Sequence, residues 1–133
     1  MGATNKQERT EIQCVAVNEA VALFHDKWTL FVLGALSHAP SLRHTELRRA
    51  TGGISQRMLT LTLKSLTASG LVKRTGHATV PPRVDYELTP LGRTLIGPLR
   101  ELLDWSLEHH DEMAAARERS QSGRTNAAPR PRP

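Results

Sequence analysis

Apolar positions recur at helical spacing over most of the chain and alternate only briefly. From Ile12 to Phe24 the apolar positions Val15, Val17, Ala20, Val21 and Phe24 recur at helical spacing, with Asn18 and Glu19 on the other side, which predicts a short first helix. His25-Asp26 interrupts it, and Asp26 is placed to cap a second helix over Lys27 to Ser37. That segment carries Trp28, Leu30, Phe31, Val32, Leu33, Ala35 and Leu36, is apolar all round, and reads as the central core helix. Pro40 ends it. A third helix from about Arg43 to Ala50 points Leu47 inward and Arg48 and Arg49 outward, and only Thr51 to Ile54, with two glycines for a sharp reversal, separates it from a fourth. Ser55 caps the fourth helix, which runs through Leu66 to a terminating Gly70.

Leu71–Gly76 and Val84–Leu88 then alternate weakly and predict a hairpin with a tip, His77 to Arg83, stiffened by Pro81-Pro82. Thr89-Pro90 is a helix start. The last helix follows through Leu91, Leu95, Leu99, Leu102 and Leu103 to about Met113, with a kink expected at Gly97-Pro98. Residues 1–11 are polar and expected to be flexible, and residues 114–133, without a large apolar side chain, to form a disordered basic tail. The expected fold is therefore mainly α with a small β-hairpin, an α+β winged helix-turn-helix occupying residues 12–113 as one domain.

At about 100° per residue the fourth helix divides into two faces. Leu59, Leu63 and Leu66 make a core face, and Arg57, Thr60, Leu61, Lys64 and Ala68 lie opposite. The second face suits a major groove: Arg57 for guanine or phosphate, Lys64 for phosphate, Thr60 for a base edge and Leu61 for a thymine methyl. Two cations on a helix are ordinarily a solvated face, and it is the adjoining turn and hairpin that favour the groove. The expected contact set is Arg43, Ser55, Gln56, Arg57, Thr60, Leu61 and Lys64, with His77 and Arg83 from the wing.

Charge sharpens this reading. Arg43 to Arg83 holds eight Lys or Arg against the single acid Glu46, a net +7, while residues 114–133 hold five Arg against Glu118, a net +4. The remainder is acidic, so the overall +5 is concentrated where a polyanion would sit. A membrane surface would call for an amphipathic helix with large apolar residues, and the basic segment offers turns and a hairpin. No run approaches 18 apolar residues and no basic start precedes an apolar stretch, so neither a membrane span nor a signal peptide is expected. The single cysteine, Cys14, excludes an intrachain disulfide framework and fits a reducing, cytoplasmic setting.

With these segments in view, the chain resembles the HxlR-type winged-helix transcriptional regulators of bacteria and archaea. The resemblance is carried by Cys14, Lys27-Trp28-Thr29, Glu46-Leu47-Arg48-Arg49, Gly53-Ile54-Ser55, Ala68-Ser69-Gly70-Leu71-Val72 and, most specifically, Val80-Pro81-Pro82-Arg83-Val84-Asp85-Tyr86-Glu87-Leu88-Thr89. It spans roughly residues 14–113. It implies a homodimer joined through the first and last helices, each subunit laying its recognition helix in a major groove and its wing along the flanking backbone. The implied dimer residues are Val17 and Val21 on the first helix and Leu99, Leu102, Leu103 and Ser106 on the last. The chain departs from the family pattern at His25-Asp26, where Gly-Gly is usual, at His44, where an aromatic is usual, and at Leu61-Thr62, where polar residues are common.

In some members of that family the equivalent cysteine senses oxidants or electrophiles. Cys14 is expected near the start of the first helix, where the dipole favours a thiolate, and the plainer reading is a small buried hydrophobe. Of the six histidines, His109-His110 beside Asp111 and Glu112 come nearest to a ligand set, yet adjacent helical positions point about 100° apart and do not converge on one ion. No metal or cofactor is expected. No phosphate-cradling glycine loop, nucleophile elbow or paired-carboxylate motif supports an enzyme. The expected partners are double-stranded operator DNA, a second copy of the chain, and a small electrophile or oxidant at Cys14. A winged helix that binds protein, or that binds DNA nonspecifically, is the alternative.

Overall fold

The computed structural model describes residues 5–125, with side chains to residue 123. Helix α1 spans Lys6–Ala22 and so begins within the stretch expected to be flexible. Its opening turn, Lys6-Gln7-Glu8-Arg9, consists of strong helix formers, and the Asn5 backbone N–H donates to Glu8 Oε2 at 3.2 Å. None of its residues is buried.

Helix α2, Lys27–Ser37, starts where Asp26 Oδ1 accepts the Trp28 amide at 2.8 Å. It buries Thr29, Val32, Leu33 and Leu36. All-round burial does not hold, because Phe31 keeps 43% of its surface exposed and Trp28 is half-buried. These two rings meet edge to face at 5.8 Å, and Lys27 Nζ lies 4.7 Å from the Trp28 ring, a cation–π contact that shields part of the apolar surface.

The segment after Pro40 forms a two-residue strand, β1 (Leu42–Arg43), before helix α3 (His44–Ala50). Arg43 is therefore extended backbone, with φ −86° and ψ 164°, and not helical as expected. Leu47 plugs the core from α3. The turn that follows uses Gly52 at φ 78° and Gly53 at φ 104°, backbone that an L side chain enters only with strain. The Thr51 hydroxyl donates to Leu47 O at 2.7 Å and Arg48 Nε to Ile54 O at 3.3 Å, and the Ile54 side chain is fully buried, so this turn is pinned from both sides.

Helix α4, Gln56–Ala68, begins with the Met58 amide donating to Ser55 Oγ at 3.1 Å. It ends in a Schellman arrangement in which Gly70, at φ 76°, donates to Thr67 O at 3.1 Å and Leu71 to Leu66 O at 3.0 Å. Strands β2 (Val72–His77) and β3 (Arg83–Leu88) pair antiparallel, and β1 adds to the far edge of β3, giving the order β1-β3-β2. Leu42 faces Tyr86 and Arg43 faces Asp85 across the short pairing.

Helix α5, Pro90–Glu108, contains Gly97-Pro98 without ending there, and α6 follows over His110–Thr125. The single last helix expected to reach Met113 is thus divided at His109. Residues expected in a disordered tail are helical as far as Thr125, an Ala- and Arg-rich stretch of good intrinsic propensity. The remainder of the expected tail, 126–133, and residues 1–4 lie outside the described residues. The chain forms two compact units, the first ending at Gly97 and the second starting at Pro98. In the second unit the Trp105 and His109 rings stand 4.9 Å apart, and His109 Nδ1 lies 3.3 Å from Glu112 Oε2.

His44 opens α3 with a buried Nε2 that has no hydrogen-bond partner among the described residues. Burial of the ring, and then the charge of Arg48, lower its pKa below 6.5. Between that lowered value and 6.5 the unfolded chain binds more protons than the folded one, so stability is complete above 6.5 and is lost as pH falls toward the folded value. His44→Phe removes both the orphaned nitrogen and the titration. It should stabilise the fold by about 1 kcal/mol near neutrality and by more in acid. Thermal melts of parent and variant at about pH 5 and about pH 8 check this, and a variant as pH-sensitive as the parent refutes it.

Candidate nucleic-acid interface

The two faces of α4 separate as the periodicity requires. Leu59, Leu63 and Leu66 are buried, joined by Thr62, while Arg57, Thr60, Leu61 and Lys64 are exposed. Leu61 keeps 51% of its surface in the open, which a leucine on a solvated helix face gains nothing from. Two of the expected contact hydroxyls are already engaged. Ser55 Oγ accepts the Met58 amide, and Thr60 donates its proton to Gln56 O at 2.8 Å, which leaves Thr60 to act on a ligand as an acceptor. Gln56 is exposed in the first turn of the same helix.

The wing shows an organising group that sequence reasoning missed. Asp85, on β3, receives His77 Nε2 at 2.9 Å and Arg83 Nη2 at 3.2 Å on one oxygen, and Arg43 Nε approaches the other at 3.9 Å. Three residues expected to contact DNA separately therefore converge on one carboxylate. Partial burial pushes the Asp85 pKa up, but the His77 hydrogen bond and the Arg83 charge outweigh it and hold the group below 3.8. The basic block counted from Arg43 to Arg83 stops two residues short of this acid, so its +7 overstates the charge the wing presents. Convergence depends on β1, because only the Arg43–Asp85 pairing brings the third cation in. A two-residue strand has no periodicity to read. A cleft of about 450 Å³ separates Arg43, His44 and Thr45 from the wing tip at Thr79 to Val84.

The expected dimer residues stand in both units. Val17 and Val21 are exposed on α1, Leu102 and Leu103 are exposed on α5, and Leu99 and Ser106 are half-buried there. Cys14 is exposed in the single chain. It also sits in the middle of α1 and not near its start, because the helix begins at Lys6, and the dipole acts only over the terminal turn. Among the described residues no helix is long and apolar enough to cross a membrane.

Comparison with known proteins agrees with this arrangement. Residues 23–114 match the model of the HxlR-like helix-turn-helix family. An HTH-type transcriptional regulator of Halalkalibacterium halodurans, BH0655, is 34% identical over 109 residues, covering 82% of this chain and 96% of its own. Among solved structures, the transcriptional regulator YtfH of Salmonella typhimurium superposes with a TM-score of 0.68 at 33% identity, over 77% of this chain and 90% of that one. The redox regulator HypR in its reduced form superposes with a TM-score of 0.69 at 33% identity, over 75% of this chain and 98% of that one. A winged sheet behind an exposed recognition helix, on a chain so matched over most of its length, identifies the protein as a member of the HxlR-like family of DNA-binding helix-turn-helix transcriptional regulators.

Proposed function

We propose that the chain acts as a homodimer on an inverted-repeat operator, with α4 in the major groove and the wing along the flanking backbone. The observation that carries this reading is the division of α4. Its inner face is fully buried against the core, so the helix is rigidly mounted, while Arg57, Thr60, Leu61 and Lys64 project from the outer face. Two-fold symmetry then requires half-sites about one helical turn, or a multiple of it, apart.

Binding-site selection from random DNA, followed by titration of variants, tests the reading. Arg57→Ala should lose about 1 to 3 kcal/mol at the selected site by losing a base contact. Lys64→Ala and Arg83→Ala should weaken all sequences alike and each reduce the salt slope by about one unit. Parent-like affinity in all three variants sinks the docking arrangement. Selection that returns no preferred sequence favours a protein-binding or nonspecific role instead.

A thiol response belongs to the same proposal. The exposed thiol of Cys14 and the 33% identity to a protein described as a redox regulator support it. Oxidation or alkylation of Cys14 adds bulk and polarity to a helix with an apolar exposed side, and is expected to change operator affinity in the parent and leave Cys14→Ser unaffected. If mass spectrometry finds Cys14 modified while affinity is unchanged, the thiol is structural.

A further inference from the structure

A second cleft, of about 430 Å³, lies between α4 and the β2–β3 hairpin, within the size range of small-molecule pockets. Arg74 and Tyr86, cross-strand partners in the sheet register, form one wall. The α4 wall is built around Leu63, Lys64 and Ala68. Thr60 and Thr67 complete it, with hydroxyl protons already donated to Gln56 O at 2.8 Å and Leu63 O at 2.7 Å.

The charge in this cleft differs from the rest of the winged sheet. Lys73 faces Glu87 at 3.9 Å, and Arg43 and Arg83 share Asp85. Lys64 and Arg74 have no carboxylate at ion-pair distance among the described residues, and no acid lines the cleft. The Tyr86 hydroxyl likewise has no partner among the described residues. Among the described residues two unpaired cations and a free phenol thus stand over a surface made of Ala68 and the Tyr86 ring, with Leu63 buried beneath it. That combination matches a small amphiphilic anion, whose charged end needs charge-assisted hydrogen bonds and whose body needs an apolar wall.

We propose that this cleft is an effector site for a small aromatic carboxylate, its carboxylate held by Lys64 and Arg74 and its ring against Ala68 and Tyr86. A DNA phosphodiester carries the same charge but has no apolar body to cover the alanine and the tyrosine ring. Lys64 also belongs to the outer face of α4, so an occupied cleft removes a cation from that face and ligand and DNA exclude each other to the same extent in both directions. This regulatory consequence rests on the DNA-binding role, whereas the binding of the carboxylate does not.

Isothermal titration of the full chain without DNA tests the site, using 1-naphthoate as probe and the uncharged 1-naphthalenemethanol as control. The acid should bind saturably, one per chain, and the alcohol about tenfold more weakly or worse. Lys64→Gln and Arg74→Gln change exposed residues, should melt as the parent does, and should each lose about tenfold in naphthoate affinity. Equal binding of acid and alcohol, unchanged affinity in both variants, or no saturable binding at millimolar naphthoate overturns the site. A second arm measures DNA affinity of the parent with and without naphthoate. A fall is expected, and unchanged affinity refutes the exclusion. A chain that binds naphthoate but no DNA keeps the cleft and loses the docking arrangement, and one that binds DNA but no naphthoate does the reverse.

Discussion

Gly92→Ala should destabilise the protein by about 3 kcal/mol, at the upper end of what overpacking costs, and lower the melting temperature by on the order of 10 °C. Intrinsic propensity forecasts the opposite sign, since Ala is favoured over Gly in a helix by about 1 kcal/mol. Packing decides the outcome. Gly92 is buried in the first turns of α5, and a Cβ there would run into the Leu71 carbonyl oxygen while lying 3.1 Å from its carbon and 3.2 Å from Leu88 Cδ2. The leucine tip could rotate away, but the carbonyl belongs to backbone that is held. Leu71 O accepts the Thr89 amide at 3.0 Å, and the Thr89 hydroxyl donates to Gly70 O at 2.6 Å and accepts the Gly92 amide at 3.0 Å. Relieving the clash means lifting the start of α5 off the end of α4 and breaking this knot. Gly34→Ala, in the middle of α2, is the control, because among the described residues nothing beyond its chain neighbours and its own helix backbone lies within 4 Å of its Cβ position, and it should be neutral or stabilising by up to about 1 kcal/mol. Urea denaturation of both variants measures the difference. If Gly92→Ala is as stable as the parent, the close approach is not a constraint on the fold.

That contact also marks where legibility in the sequence ended. Signals written into a few neighbouring residues were readable: Asp26, Ser55 and Thr89 as caps, Gly52-Gly53 as the reversal, Gly70 as the terminator, and the buried stripe of Leu59, Leu63 and Leu66. Each is a local requirement met by one residue type. What escaped depends on residues distant in the chain or on propensity without an apolar stripe. The pairing of Leu42–Arg43 with β3 is held from across the fold, and with it went the convergence of Arg43, His77 and Arg83 on Asp85. The start of α1 at Lys6 and the extent of α6 were missed because the opening turns of α1 and most of α6 consist largely of polar or small helix formers without an apolar stripe. The exposure of Phe31 was missed for the reverse reason, since an element apolar all round gives no sign of which side remains uncovered. The division of the fourth helix into a buried and an exposed face was the best-read feature, because one side of a single helix is a purely local pattern.

Leu103→Glu is expected to convert the protein to a monomer and to lower operator affinity on the order of a hundredfold or more, because loss of the second half-site removes the intramolecular advantage of a linked pair. The expectation follows from the homodimer proposal and from surface that a single chain leaves open. Leu99, Leu102, Leu103 and Ser106 occur at the spacing i, i+3, i+4, i+7 and so share one side of α5, where Leu102 and Leu103 keep 54% and 44% of their surface exposed. On α1, Val17 and Val21 are exposed to 59% and 62%. Apolar surface gathered in this way on a helix marks an interaction face more often than a free one. In a two-fold interface each substitution enters twice, so one Leu103→Glu change buries two unpaired carboxylates, and desolvation of either is unfavourable. The side chain is exposed in the single chain, which keeps the variant folded and separates loss of assembly from loss of structure. Sedimentation at micromolar concentration and operator titration should therefore change together while the circular dichroism of the variant matches that of the parent. A parent that sediments as a monomer removes the dimer, and a variant that is monomeric yet binds the operator at parental affinity removes the coupling, leaving α4 and the wing of one subunit to supply all of the recognition.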